Sequence, residues 1–134
     1  DQKWLDLVAI PKAQIHAIPA ELGAEAGAES YAKVVAKAGK FDLVLLGMGE
    51  DGHTASLFPG HVHNLDELTH AVHNSPKPPS SRVSISAKAL SNTEELIFVV
   101  SGAKHDAVAA WKNKQDLPVT HLCPANGVDV LLSI

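Results

Sequence analysis

Phe41-Asp42-Leu43-Val44-Leu45-Leu46-Gly47-Met48-Gly49-Glu50-Asp51-Gly52-His53-Thr54-Ala55-Ser56-Leu57-Phe58-Pro59-Gly60 is the stretch on which the fold of this chain turns. Its first six residues form a short apolar run, the pattern of a buried parallel strand. Gly47, Gly49 and Gly52 follow, and glycine lets the backbone take positive φ and turn sharply where a strand ends. Open α/β sheets bind their ligands at that carboxyl edge. Into the turn the sequence places two carboxylates, Glu50 and Asp51, and one imidazole, His53. An imidazole beside an acid, on a glycine-rich loop at a strand end, is the arrangement of a general base.

Working outward, the chain alternates helix and strand. Upstream, Pro11 and Pro19 break the opening, with a short strand expected over 14–18. Residues 20–39 are rich in Ala, Glu and Lys and are expected to be helical, with Gly23 and Gly27 costing up to about 1 kcal/mol each against Ala. Downstream, residues 59–81 carry Pro59, Pro76, Pro78 and Pro79 among His, Asn and Ser, and read as loop. Residues 82–86 alternate as a strand does, and 87–92 form a short helix. A second buried strand is expected over 96–100, a helix over 103–114, and two more strands over 119–123 and 128–134. Such alternation implies a parallel sheet in an α/β fold, with residues 1–134 as one domain.

Composition sets the outer limits. The chain has 134 residues, 46% of them hydrophobic, which suits one domain with a core. A net charge of −4 without a Lys/Arg cluster argues against a nucleic-acid or membrane-surface partner. The single cysteine, Cys123, excludes an internal disulfide and fits a reducing compartment. No apolar run approaches the roughly 18–20 residues of a membrane span, so a cytoplasmic location is expected.

Two motifs are set aside. Gly47-x-Gly49-x-x-Gly52 matches the dinucleotide-binding fingerprint, but Pro59-Gly60 stops any helix that would have to pack back on the sheet. No nicotinamide, flavin or other cofactor is therefore expected. Five of the eight histidines, His53, His61, His63, His70 and His73, fall within residues 53–73, beside Asp66 and Glu67. Their spacing matches no metalloenzyme motif, and no metal site is expected.

The segment Leu46 to Gly60 resembles the central motif of the 6-phosphogluconolactonases. Pro78-Pro79 before Arg82-Val83-Ser84-Ile85-Ser86 is similar to that family's Pro-Pro, Arg-hydrophobic-Thr segment. Phe98-Val99-Val100-Ser101-Gly102 with Lys104 is similar to its strand-Gly-Lys segment. The resemblance covers nearly the whole chain. It implies a three-layer, Rossmann-like parallel sheet of the lactonase/deaminase type, and hydrolysis of 6-phospho-D-glucono-1,5-lactone to 6-phospho-D-gluconate in the pentose phosphate pathway. The related glucosamine-6-phosphate deaminases carry a glutamate where this chain has Phe58, which moves no proton. A deaminase/isomerase-like enzyme and a non-catalytic sugar-phosphate-binding fragment are the alternatives.

The resemblance also implies a missing N-terminal portion, because family members are longer and supply a phosphate loop from it. This chain is then the C-terminal part of a lactonase domain, and self-association through an exposed truncated edge is expected. Catalysis falls to His53, whose reference pKa of about 6.5 leaves a neutral base near cytoplasmic pH, with Asp51 orienting the imidazole. Backbone N–H groups of the Gly49–Gly52 turn are placed at the oxyanion. Gly49, Glu50, Gly52, Thr54, Arg82 and Lys104 are the expected substrate-binding residues. Arg82 suits the phosphate through its planar fork and Lys104 as a point charge. The spacing after Gly102 is one residue short of the family's, so Lys104 and His105 both compete for the lysine position.

Overall fold

The computed structural model describes residues 4–133. Its centre is β4, Thr93–Ser101, which pairs in parallel with β1, Phe41–Gly47, on one side and β5, Asp129–Ser133, on the other. The register sets Leu45 beside Ile97 and Asp129, and Gly47 beside Val99 and Leu131. Side chains alternate faces along a strand, so this register sorts the sheet into two surfaces.

One surface is core. Val44, Leu96, Phe98 and Val100 cluster there with Met48, Leu57, Leu90, Ala107, Val119 and Leu122. Phe98 is fully buried, and Trp111 meets its ring edge-on at 5.0 Å. Trp111 lies on α3, His105–Lys112, shorter at both ends than the expected 103–114 helix. The opposite surface is open: Leu43, Leu45, Val99 and Leu131 are 48–61% exposed. β1 is thus buried on one side only, contrary to the strand buried on both sides that its continuous apolar run implies.

A second, two-stranded sheet stands apart. β2, Thr69–Val72, pairs antiparallel with β3, Arg82–Ile85. β2 lies inside the stretch read as loop; it is four residues long and bracketed by polar, proline-rich sequence. α1, Ala24–Ala38, packs on this pair of strands. Gly27 lets it approach, since a Cβ there would stand 3.0 Å from Pro19 O and from Val83 Cγ2. Thr69 Oγ1 donates to Ala28 O at 2.5 Å, tying β2 to the same helix.

Elsewhere the expectations need adjustment. Residues 14–18 form no strand; a 3₁₀ turn covers Lys12–Gln14. α2, Ala87–Ser91, follows β3 and is capped by Ser86, whose Oγ accepts from Ala89 N at 3.1 Å. Pro118–His121 is a 3₁₀ turn where a strand was expected. Pro118 favours a helical start, and Thr120 Oγ1 donates back to Leu117 O at 2.6 Å. Ile134, the last residue of the expected final strand, lies outside the described residues.

Because Phe98 fills the centre of the core, Phe98→Ala should lower unfolding free energy by about 3–5 kcal/mol in urea titration. Val99→Ala, one residue on and half-exposed, should change it by only about 0.5 kcal/mol.

Candidate active site

β1 ends at Gly47, and the chain then closes a tight loop. Gly52 N–H donates to Gly49 O at 3.1 Å, and Gly49 N–H donates to His53 O at 2.8 Å. Gly52 adopts φ +79° beneath Leu117, whose Cδ1 would lie 2.9 Å from an added Cβ. Val119 N–H donates to Gly52 O at 3.3 Å, fastening the turn to the 3₁₀ segment behind it. On the far side, buried Thr54 donates from Oγ1 to Gly47 O at 2.9 Å, and Ser56 N–H donates to Ser84 Oγ at 3.1 Å.

This frame presents His53 to Asp51. Asp51 Oδ1 accepts from the His53 backbone N–H at 3.1 Å and from Nδ1 at 2.5 Å. Burial pushes the Asp51 carboxyl up, but hydrogen bonds from the His53 ring and backbone, together with its charge, outweigh that and hold it below the usual carboxylate value. An ionised carboxylate only accepts, so Nδ1 carries the proton. Whenever the imidazole is uncharged, Nε2 then keeps its lone pair. That is the protonation pattern a general base needs.

His53 lines an open cleft of about 460 Å³ at the carboxyl ends of β1 and β4, with Gly47, Gly49, Ser101 and Lys104. Lys104, at the N-cap of α3, thus shares the cleft with the imidazole. His105 is absent from that cleft and lines a neighbouring hollow of about 210 Å³, which Lys104 also borders. Ser101 was not foreseen; its position before Gly102, at a strand end, was the available signal. A Cβ built on Gly49 would lie 2.0 Å from His53 Nδ1 and Cε1, so the imidazole can sit here only against glycine.

The other expected residues stand further off. Gly52 and Thr54 are buried in the loop's scaffold, and Glu50 is exposed at its tip, outside the cleft lining. Arg82 is also outside that lining. Its Nε donates to Pro79 O at 3.1 Å and its Nη2 to Lys77 O and Pro78 O at 2.9 Å, leaving Nη1 outside these bonds. The expected oxyanion donors need similar revision. The Gly49 and Gly52 amides are used within the turn and the Asp51 amide faces its own carboxylate, so Glu50 supplies the turn amide without an acceptor among the described residues.

The histidine-rich segment packs as a column of rings. His63 and His70 stack at 4.4 Å and 11°, and His70 Nδ1 lies 2.8 Å from Glu67 Oε2. Burial, then the neighbouring imidazoles His70 and His61, hold His63 below the usual histidine value. Its Nε2 is buried without a partner among the described residues. No three His, Cys, Asp or Glu side chains among those residues converge as a metal-ligand set.

The fold can be set beside those of known proteins. The description "glucosamine-6-phosphate isomerases/6-phosphogluconolactonase" covers a family whose model matches residues 1–131. The chain belongs to that family. It is 38% identical over 112 residues to human 6-phosphogluconolactonase, covering 78% of this chain and 43% of that protein. With the 6-phosphogluconolactonase of Mycobacterium leprae it shares 39% over 121 residues, covering 79% and 49%. The crystal structure of the Thermotoga maritima 6-phosphogluconolactonase superposes with a TM-score of 0.87 at 26% identity, over 96% of this chain and 60% of that one. A monomeric glucosamine-6-phosphate deaminase shares the fold, with a TM-score of 0.62 at 21% identity. The family's α/β fold with its parallel sheet is therefore the fold of this chain. The chain spans about half the length of the curated relatives it matches.

Gly49→Ala should expel the His53 ring from its seat while leaving the core intact. In ¹H–¹⁵N spectra the His53 ring signals should shift and the Phe98-centred core should not. Unchanged His53 signals would contradict the packing described.

Proposed function

We propose that this chain carries the base-bearing, C-terminal part of a 6-phosphogluconolactonase and acts on 6-phospho-D-glucono-1,5-lactone. The observation that carries the reading is the Asp51–His53 pair on the loop after β1, in a chain whose family includes these enzymes. Water attacks the lactone carbonyl carbon as His53 Nε2 takes one of its protons. The tetrahedral oxyanion then collapses, breaking the bond to the ring oxygen, which receives the proton back from Nε2. The Glu50 amide, at the tip of the loop beside the cleft, is the turn donor left over for the oxyanion. Lys104, in the same cleft, supplies a point charge for the phosphate, and Arg82 has Nη1 to offer. Phe58 is buried and has no proton to exchange, which disfavours the deaminase chemistry. No metal or organic cofactor enters this scheme.

The decisive assay is hydrolysis of fresh lactone against a buffer blank, because the lactone also opens unaided. Turnover above the blank should fall about 10²–10⁴-fold in His53→Ala. Turnover that survives the substitution would place the base elsewhere. Absence of turnover, with 6-phosphogluconate binding intact by calorimetry, would make the chain a sugar-phosphate-binding piece.

We also propose that the chain self-associates through the open sheet surface of Leu43, Leu45, Val99 and Leu131, beside the edge strand β1. No helix among the described residues is long and apolar enough to cross a membrane, and a cytoplasmic location without a nucleic-acid partner belongs to the same proposal. Sedimentation velocity should show concentration-dependent dimers that Leu45→Lys disperses. A clean monomer at high concentration would refute the association.

A further inference from the structure

Phe58 is among the most deeply buried side chains, 3% exposed, yet it stands outside the main hydrophobic cluster under the sheet. Two imidazoles and a cation pack around its ring, and Leu57, Val62, Leu65 and Pro118 line a cavity with it. The His53 imidazole meets it at 4.8 Å and 38°, and the His61 ring at 5.6 Å and 60°. The Arg82 guanidinium carbon lies 5.5 Å from its centroid. Phe58 is not part of the lining of the His53 cleft, but its ring meets the His53 imidazole from behind that lining.

The hydrogen bond to Asp51 fixes one atom of the imidazole, Nδ1, and leaves the ring free to pivot about that bond. Gly49 packs against the ring but offers no side chain to grip it. A flat apolar surface in contact with the ring supplies the missing restraint, and Phe58 is that surface. Phe58 is held in turn by Arg82, since a cation over an aromatic face is attracted to it. Arg82 is itself clamped by the Lys77, Pro78 and Pro79 carbonyls. The proline-rich segment thus reaches the imidazole through two contacts.

We propose that Phe58 is a positioning residue. It holds the His53 ring in the plane that keeps Nδ1–H on Asp51 and Nε2 free, and Arg82 acts through it as a brace. The catalytic consequence rests on the lactonase reading; the positioning itself does not.

The test therefore has two readouts on the intact chain. Long-range ¹H–¹⁵N correlation of the histidine rings reports the His53 tautomer without any turnover. The unsubstituted protein should show one tautomer, protonated at Nδ1. Phe58→Leu should show averaging between tautomers while the His63 and His70 signals stay in place, and Phe58→Tyr should restore the single tautomer. In lactone hydrolysis Phe58→Leu should lower kcat roughly 10- to 100-fold with KM nearly unchanged. Should Phe58→Leu not fold, Phe58→Met fills the site with a more adaptable side chain and carries the same expectation. A single Nδ1–H tautomer persisting in the folded variant overturns the proposal, whatever the rate. A shifted tautomer in a chain that does not hydrolyse the lactone upholds the positioning and removes only the lactonase reading.

Discussion

The parallel pairing of β1 with β4 is the constraint on which the site depends. Its register sets Gly47 beside Val99, so β1 ends two residues before β4 at the same edge of the sheet. One strand hands the chain to the Gly49–His53 loop and the other to Ser101 and Lys104. A slip by one residue would send Leu96, Phe98 and Val100 to the open surface and Val99 into the core. The burial of Phe98 thus guards the register, and the register brings Lys104 and His53 into one cleft. Core and chemistry are joined through strand pairing and through Met48, Leu57 and Val119, which belong to the core and also frame or fasten the loop.

Within the loop the polar groups satisfy one another in a fixed order. Thr54 returns a hydrogen bond to Gly47 across the loop, Gly49 and His53 close it, and Asp51 takes two donors from a single residue. The same carboxylate oxygen organises the backbone and selects the tautomer of the ring. Local folding and the orientation of the ring are one arrangement here.

Much of this was legible in the sequence, for particular reasons. Gly49 and Gly52, flanking Glu50 and Asp51 after an apolar run, announced the turn and its acid–imidazole pair. Leu96 to Val100 announced β4 because a run of five apolar residues has few other uses. β2 escaped because Thr69-His70-Ala71-Val72 has no alternation strong enough to stand out from its polar surroundings. The 3₁₀ turn at Pro118–His121 escaped because Val119 and Leu122 are buried with a spacing of three, which in a short apolar segment passes for a strand. The open surface of the sheet was hidden as well: Leu43 and Leu45 read as core, and only the three-dimensional arrangement shows nothing among the described residues covering them. For Arg82, sequence supplied the charge but not the three carbonyls that occupy most of its donors.

The use of the Gly49 and Gly52 amides inside their own turn bears on the thermodynamics of ligand capture. Residues 47–57 acquire their hydrogen bonds when the chain folds, so their loss of backbone entropy is already complete in the empty protein. A ligand arriving at the cleft meets a loop that has little left to order, and its contact energy is not drawn down by arranging the loop. Affinity at such a site is governed by complementarity and desolvation, and a ligand of the wrong shape gains nothing from waiting for the loop to adapt.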